Sequence, residues 1–265
     1  MKEVFTVEIL RADGLVKTFP ISDKQRKSLG IKDKRKTAVD GISFTARSGE
    51  VFGLLGPNGA GKTTTMRMLA TLIKPDSGDA LYNDVSAVKS PEEIRSQLAF
   101  LTTDLKPDMK STPDLMYDFF AELYHIPKDA AATRKKELFQ EFGIDSFANT
   151  VIAKLSQGQR QKVSLVISVI HDPKFVIFDE PTNGLDIIAA REVREFIQNM
   201  KAAGKCVIIS THLFDLVERV CDRAAMIMDG KIVADDTLEN LTRGRSLEDA
   251  FYEIYTSRKD EKAGV

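Results

Sequence analysis

The stretch Val51-Phe52-Gly53-Leu54-Leu55-Gly56-Pro57-Asn58-Gly59-Ala60-Gly61-Lys62-Thr63-Thr64 decides how this chain folds. From Gly56 to Thr63 it matches G-x-x-x-x-G-K-[ST], a loop that cradles phosphate groups. The apolar run before the loop reads as a buried strand. Thr64-Thr65-Met66-Arg67-Met68-Leu69-Ala70 follows and reads as the start of a helix. Strand, glycine bend and helix is the context in which the motif works. Glycines let backbone N–H groups turn inward and approach phosphate oxygens closely. The helix N-terminus adds partial positive charge. Lys62 has the reach for the β- and γ-phosphates, and the Thr63 hydroxyl suits Mg²⁺. A chance match arises in roughly one chain in a hundred of this length, and the correct flanks make it rarer. Nucleoside triphosphate binding is therefore expected.

A second cluster of chemistry follows the run Phe175-Val176-Ile177-Phe178, which reads as a central parallel strand buried on both faces. It ends in Asp179-Glu180-Pro181. Carboxylates at the carboxyl end of a buried strand stand where an α/β sheet places its chemistry. Asp179 suits the Mg²⁺ shell, and Glu180 suits orientation or deprotonation of an attacking water. A solvated loop is the plainer alternative, but it poorly explains two acids directly after four buried apolar residues. Cys206-Val207-Ile208-Ile209-Ser210 repeats this layout and ends in Thr211-His212, so His212 reads as a γ-phosphate contact. His125 and His171 have no such context and read as surface or helix-end residues.

Composition bounds the rest. The 265 residues accommodate one large domain or a core with a subdomain. A net charge of −1 offers no field for a polyanion, so no specific nucleic acid is expected as partner. The two cysteines, Cys206 and Cys221, lack ligand spacing and read as small buried residues in a reducing compartment. Met1-Lys2-Glu3-Val4 lacks the apolar run of a secretory signal. The apolar run over 163–170 is too short to span a bilayer. If the protein works at a membrane, another chain does the spanning.

Along the chain, 4–10 reads as an edge strand continued by Leu15-Val16-Lys17-Thr18-Phe19. Phe19 suits either an adenine face or the core. Residues 20–36 hold seven basic and two acidic side chains, and read as a solvated, mobile loop or a contact for anionic lipid or an acidic partner. Strands are predicted over 38–46, 80–82 and 98–101. Ser90-Pro91-Glu92-Glu93 has the pattern of a helix start. Further helices are predicted over 112–124 and over 133–142, the latter stopped by Gly143. Leu155-Ser156-Gln157-Gly158-Gln159 opens a helix to residue 170, with Ser156 and Gln159 at capping-box spacing. Residues 90–160 thus interrupt a strand–helix alternation and read as an inserted helical subdomain. A helix over 187–200, one over 213–220, and a hairpin turning at Asp229-Gly230 complete the core. Residues 236–265 read as two short helices and a charged tail.

The ordered set resembles the nucleotide-binding subunit of an ATP-binding-cassette (ABC) transporter over almost the whole chain. The phosphate loop, the signature-like Leu155-Ser156-Gln157-Gly158-Gln159, the strand ending in Asp179 and Glu180, the D-loop-like Asn183-Gly184-Leu185-Asp186 and the switch histidine His212 fall in the family's order. Phe19 sits where the family places its adenine-stacking aromatic. The resemblance implies an α/β fold: a P-loop NTPase (RecA-like) core with a mainly parallel central sheet, an N-terminal antiparallel β-subdomain and an inserted α-helical subdomain. It places the ATP-binding domain over 1–240 and a helical tail over 241–265. Two departures stand out. The signature's usual third-position Gly is Gln157. Where the family carries a loop Gln that touches Mg²⁺ and the membrane partner, this chain has Thr102-Thr103-Asp104.

The resemblance also implies a mechanism. ATP and Mg²⁺ bind at Gly56, Pro57, Asn58, Gly59, Ala60, Gly61, Lys62, Thr63, Thr64 and Asp179. Ser156, Gly158, Gln159 and Asp186 act across a head-to-tail pair on the other copy's ATP. Glu180 and His212 are the expected catalytic residues. The implied partners are a second cassette and a polytopic membrane-spanning permease at the cytoplasmic face of the membrane. The Leu247-Glu248-Asp249-Ala250-Phe251 tail looks most like exporters of the sodium, drug or antibiotic-resistance type. A soluble ABC ATPase acting on nucleic acid or ribosomes is the alternative. A non-catalytic nucleotide-binding module is a third class, and intact Glu180 and His212 argue against it.

Overall fold

A computed structural model describes residues 7–21, 26, 34–102 and 107–263. Two sheets organise it. The first is antiparallel and built from β1 (Ile9–Pro20), β2 (Arg35–Arg47), β4 (Ser77–Tyr82) and the short β5 (Val85–Ser86), in the order β2-β1-β4-β5. The second contains β3 (Val51–Leu55), β6 (Leu98–Thr102), β7 (Phe175–Asp179), β8 (Cys206–Thr211), β9 (Arg223–Met228) and β10 (Lys231–Thr237), in the order β10-β9-β3-β8-β7-β6. Every pairing in it is parallel except that of β10 with β9. β3, β7 and β8 are buried at every residue, which is why each reads as an unbroken apolar run rather than an alternation.

Aromatic contacts bind the two sheets together. Phe44 of β2 stacks on Phe52 of β3 with ring centroids 4.7 Å apart, and Tyr82 of β4 meets Phe175 of β7 edge-on at 4.8 Å. The Tyr82 hydroxyl is not left unpaired; it donates to the Leu69 carbonyl at 2.8 Å.

Nine α-helices accompany the described strands. α1 (Lys62–Leu69) follows β3, and α2 (Pro91–Arg95) precedes β6. Between β6 and β7 lie α3 (Pro113–Leu123), α4 (Lys128–Phe142), two short 3₁₀ turns and α5 (Gln157–Ser168). α6 (Ile187–Ala202) and α7 (Phe214–Val220) flank β8. The chain continues through α8 (Leu238–Thr242) to α9 (Leu247–Ala263). Buried Leu138, Phe139 and Phe142 of α4 share one core with Val163 and Val166 of α5, and Phe142 packs on Phe196 of α6 at 4.9 Å. The helical part is thereby joined to the sheet through α6 rather than hung from a linker.

Several expectations need correction. β1 is not an edge strand; it pairs with β2 on one side and β4 on the other. Its second partner arrives some sixty residues later, beyond the reach of a local pattern; Val4, Phe5 and Thr6 lie outside the described residues. α4 begins at Lys128 rather than at Thr133, because Ala130, Ala131 and Ala132 are strong helix formers directly after Pro127. α2 does start at Pro91, but it has five residues and the Ser90 side chain makes no cap bond. The second helix of the tail is long, 17 residues, not short. Lys24, Lys27 and Lys32 of the basic stretch lie outside the described residues, but Arg35 and Lys36 belong to β2. Cys206 and Cys221 are free and buried, and burial pushes both thiol pKa values up, away from reactivity.

Candidate nucleotide site

β3 delivers the chain to the phosphate loop at the carboxyl edge of the parallel sheet. β8 and then β7 lie next to it, with Leu55 opposite Thr211 and Ser210 opposite Asp179. Three strand ends therefore stand side by side at the usual ~4.8 Å spacing. This juxtaposition brings together Lys62, Glu180 and His212, which lie far apart in sequence.

The loop is closely fitted. Gly61 has φ 111°, and a side chain there would come within 2.4 Å of the Ala38 carbonyl oxygen. Gly61 is also the N-cap of α1, and it brings no side chain to cap the helix. The first amides of α1 are thus free to point at an anion. Lys62 is 5% exposed. Its Nζ donates to the carbonyls of Gly56 at 2.8 Å and Pro57 at 3.3 Å, and pairs with Glu180 Oε1 at 3.2 Å.

Glu180 has φ 54°, in the left-handed region. For a non-glycine residue this costs about 1–2 kcal/mol. The bend points its carboxylate into the cleft, where Oε2 lies 2.9 Å from His212 Nδ1. Glu180 thus bridges Lys62 and His212. Asp179, one residue earlier, is the last residue of β7 and is buried. Its Oδ1 accepts from Thr63 Oγ1 at 3.3 Å and closely from Ser210 Oγ. Burial pushes the Asp179 carboxyl pKa up; the two hydroxyl bonds offset this in part, and the Glu180 charge adds to it.

These groups open onto one cleft of about 470 Å³, lined by Phe19, Lys36, Ala38, Asn58, Gly59, Gly61, Lys62, Thr63, Thr64, Glu180, Asn183 and His212. Phe19 presents a ring that is 39% exposed, with Lys17 Nζ 5.9 Å from its centroid. Gly56 contributes its carbonyl to Lys62, while Pro57 and Ala60 turn to a neighbouring cavity. Ser156, Gly158, Gln159 and Asp186 do not line this cleft either. Ser156 Oγ accepts from the Gln159 amide at 3.2 Å, and Gln159 Oε1 accepts from the Ser156 amide at 2.9 Å, a complete capping box. Asp186 caps α6, accepting from the Ala189 amide at 2.8 Å. Gly158 rests against Ala189. Thr102 ends β6 opposite Asp179, and Thr103 and Asp104 lie outside the described residues.

Sequence reasoning missed Lys36, Ala38 and Ser210. Lys36 reads as part of a loop in the sequence, yet the β1–β2 register sets it opposite Phe19. Its signal was the strand-like continuation of Arg35-Lys36-Thr37 into Ala38-Val39. His171 is a helix-end residue as expected; it is half-buried, stacked on Tyr124 at 4.2 Å, and burial lowers its pKa.

A glycine loop between a buried strand and a helix, a lysine in it, and a carboxylate pair on a nearby strand end define a P-loop nucleoside triphosphatase. Comparison with known proteins narrows the class. A family model described as ABC transporter matches residues 39–183. The chain is 37% identical over 232 residues to the ABC transporter ATP-binding protein NatA of Bacillus subtilis (strain 168), covering 86% of this chain and 93% of that one. It is 32% identical to a fluoroquinolones export ATP-binding protein of Mycobacterium tuberculosis (strain CDC 1551 / Oshkosh), covering 90% of this chain and 74% of that one. A solved ATP-binding subunit of an ABC transporter superposes with a TM-score of 0.80 at 26% identity, covering 93% of this chain and 99% of that one. The chain belongs to the ABC transporter family and is an ATP hydrolase of that type.

Proposed function

We propose that this chain powers an ABC exporter: two cassettes pair head to tail, close on ATP, and transmit closure to a membrane-spanning permease. The observation that carries the reading is the split between the sites. Lys62, Glu180 and His212 share one cleft, whereas the capped start of α5, with Ser156, Gly158 and Gln159, faces elsewhere. In a head-to-tail pair this second element meets the other copy's terminal phosphate, with the positive end of the 12-residue α5 helix toward it. Asp186 joins the same interface.

Within one site, the loop amides, Lys62 and Thr64 bind the triphosphate, and Phe19 stacks on the base. Glu180 takes the proton of the attacking water, and His212 holds Glu180 and the γ-phosphate in line. Thr63 Oγ1 and the buried, desolvated Asp179 carboxylate fit Mg²⁺, a hard cation that takes one or two protein oxygens and completes its shell with phosphate and water. A cation held by Thr63 and Asp179 would offset negative charge on the terminal phosphates.

The permease docks on an apolar groove of about 680 Å³ between β6 and α3, where Leu115 and Phe119 are more than 60% exposed. No helix among the described residues is long and apolar enough to cross a membrane. The cassette then sits peripherally on the cytoplasmic face, with the ATP-binding domain over 1–240, its helical insertion over about 90–160 and a helical tail over 241–265. Export as the direction rests on the name of the mycobacterial relative. Affinity purification of the tagged chain from detergent-solubilised membranes tests the reading. A polytopic membrane protein that co-purifies and raises ATP turnover is expected; nucleic acid or ribosomes in its place would overturn it.

A further inference from the structure

We propose that the cavity beneath the tail helix is a second ligand site, built for a nucleoside monophosphate. It measures about 410 Å³ and lies between residues 57–60 of the phosphate loop, the hairpin turn at Met228-Asp229 and α9. The ATP cleft is its neighbour, and Lys36, Asn58 and Gly59 line both. The second site does not depend on the pairing proposed above.

The pattern along α9 points to it. Leu247 and Ala250 are buried, Phe251 meets Phe214 of α7 with ring centroids 5.3 Å apart, and Ile254 packs on the same core. The Leu247 amide also donates to Glu218 Oε1 of α7 at 2.7 Å. These positions form one stripe at helical spacing, and the next position on it is 258. There the apolar series gives way to half-buried Arg258, with Tyr255 beside it at 43% exposure, and both line the cavity. Arg245 takes Glu253, and among the described residues Arg258 has no acidic partner. An arginine held on the inward face of an anchored helix offers its planar fork to an anion.

The wall sets the class of ligand. Lys36 adds a second cation and Asp229 one carboxylate. Two cations against one acid match a single phosphate better than the run of phosphates that the loop takes next door. Tyr255 gives a ring face for a base, and Asp229 an acceptor for ribose hydroxyls. The volume falls within the range of small-molecule pockets. The floor is firmly held. The Gly230 amide donates to the Ala60 carbonyl at 2.9 Å, and the Gly230 carbonyl accepts from the Asp40 amide at 2.8 Å. Because Lys36 serves both cavities, an anion in one draws it from the other. The monophosphate therefore weakens binding in the ATP cleft, and the reverse holds by linkage.

The test uses the full chain with Mg-ADP saturating the ATP cleft, and follows AMP and, separately, inorganic phosphate by titration calorimetry. One AMP per chain is expected to bind. Arg258→Ala should weaken AMP roughly 10- to 150-fold, as for a lost charge-assisted hydrogen bond. Tyr255→Ala should weaken AMP while Tyr255→Phe keeps it, with ADP affinity and melting temperature parental in all three variants. Phe19→Ala should weaken ADP and spare AMP. Saturating AMP should raise the Kd for ADP about fivefold or more, an effect lost in Lys36→Ala. A parent that binds no AMP overturns the site. AMP binding that survives Arg258→Ala, or that falls with Phe19→Ala, belongs to the ATP cleft and overturns it as well. Inorganic phosphate binding as tightly as AMP overturns the assignment of a nucleoside, and an unchanged Kd for ADP overturns the link through Lys36.

Discussion

Glu180→Gln gives the sharpest test of the site. The Glu180 carboxylate holds Lys62 at 3.2 Å and His212 at 2.9 Å. The gross attraction of the Lys62 pair is about 5 kcal/mol at an effective dielectric of about 20, but much of it offsets the desolvation of two nearly buried ions. For Lys62 to turn to phosphate, that charge-assisted bond must break. Such a bond is worth about 1.5–3 kcal/mol net, against about 0.5–1.5 for the neutral bond that Gln offers. The substitution should therefore ease ATP binding by about 1–1.5 kcal/mol, or roughly five- to tenfold in Kd. Turnover should fall by about 10²–10⁴, the usual contribution of a general base. Titration calorimetry in the presence of Mg²⁺ and a steady-state phosphate assay measure the two numbers. The paired closed form should accumulate with ATP. Hydrolysis at the parental rate would refute the role of Glu180; weaker binding would refute the competition for Lys62.

Other substitutions probe separate links. Lys62→Ala removes the cation from the loop and should weaken ATP binding by about 1.5–3 kcal/mol, roughly 10- to 150-fold, read by the same calorimetry. For Asp179 the sign follows from its raised folded pKa. The folded protein holds that proton more tightly than the unfolded chain, so the stability it contributes is complete below the ordinary value of 3.8 and is lost as pH rises through the folded value. Asp179→Asn should therefore melt above the parent at neutral pH in chelator, with the gap closing toward acid pH. Ser156→Ala removes one half of the capping box and should cost about 1 kcal/mol in urea unfolding. Phe196→Ala empties the junction of Phe142 and Phe178 and should cost about 3–5 kcal/mol by the same measurement.

What the sequence disclosed follows the range of the forces involved. β3, β7 and β8 are buried on both faces, so their continuous apolar runs were legible without knowledge of any partner. The cap at Ser156 was legible because its side chain bonds an amide three residues on. The middle position of β1 was not, since it depends on β4 pairing from outside the local window. Lys36 was hidden for a similar reason: its place opposite Phe19 is a matter of register between two strands. Ser210 looked like the polar end of a strand, and only the neighbouring β7 gives it the Asp179 carboxylate to hold.

The position of β8 has a consequence for how the protein is made. It lies between β3 and β7, although the chain completes both of those strands first. A nascent chain that has emerged through Asp179 has its glycine bend and its acids but not the strand that spaces them. Thr63 and Asp179, 116 positions apart, can meet correctly only after residues 206–211 slot into the gap. A chain cut short before that strand is therefore not a slower enzyme but an unassembled one, with two apolar strand edges open to neighbours.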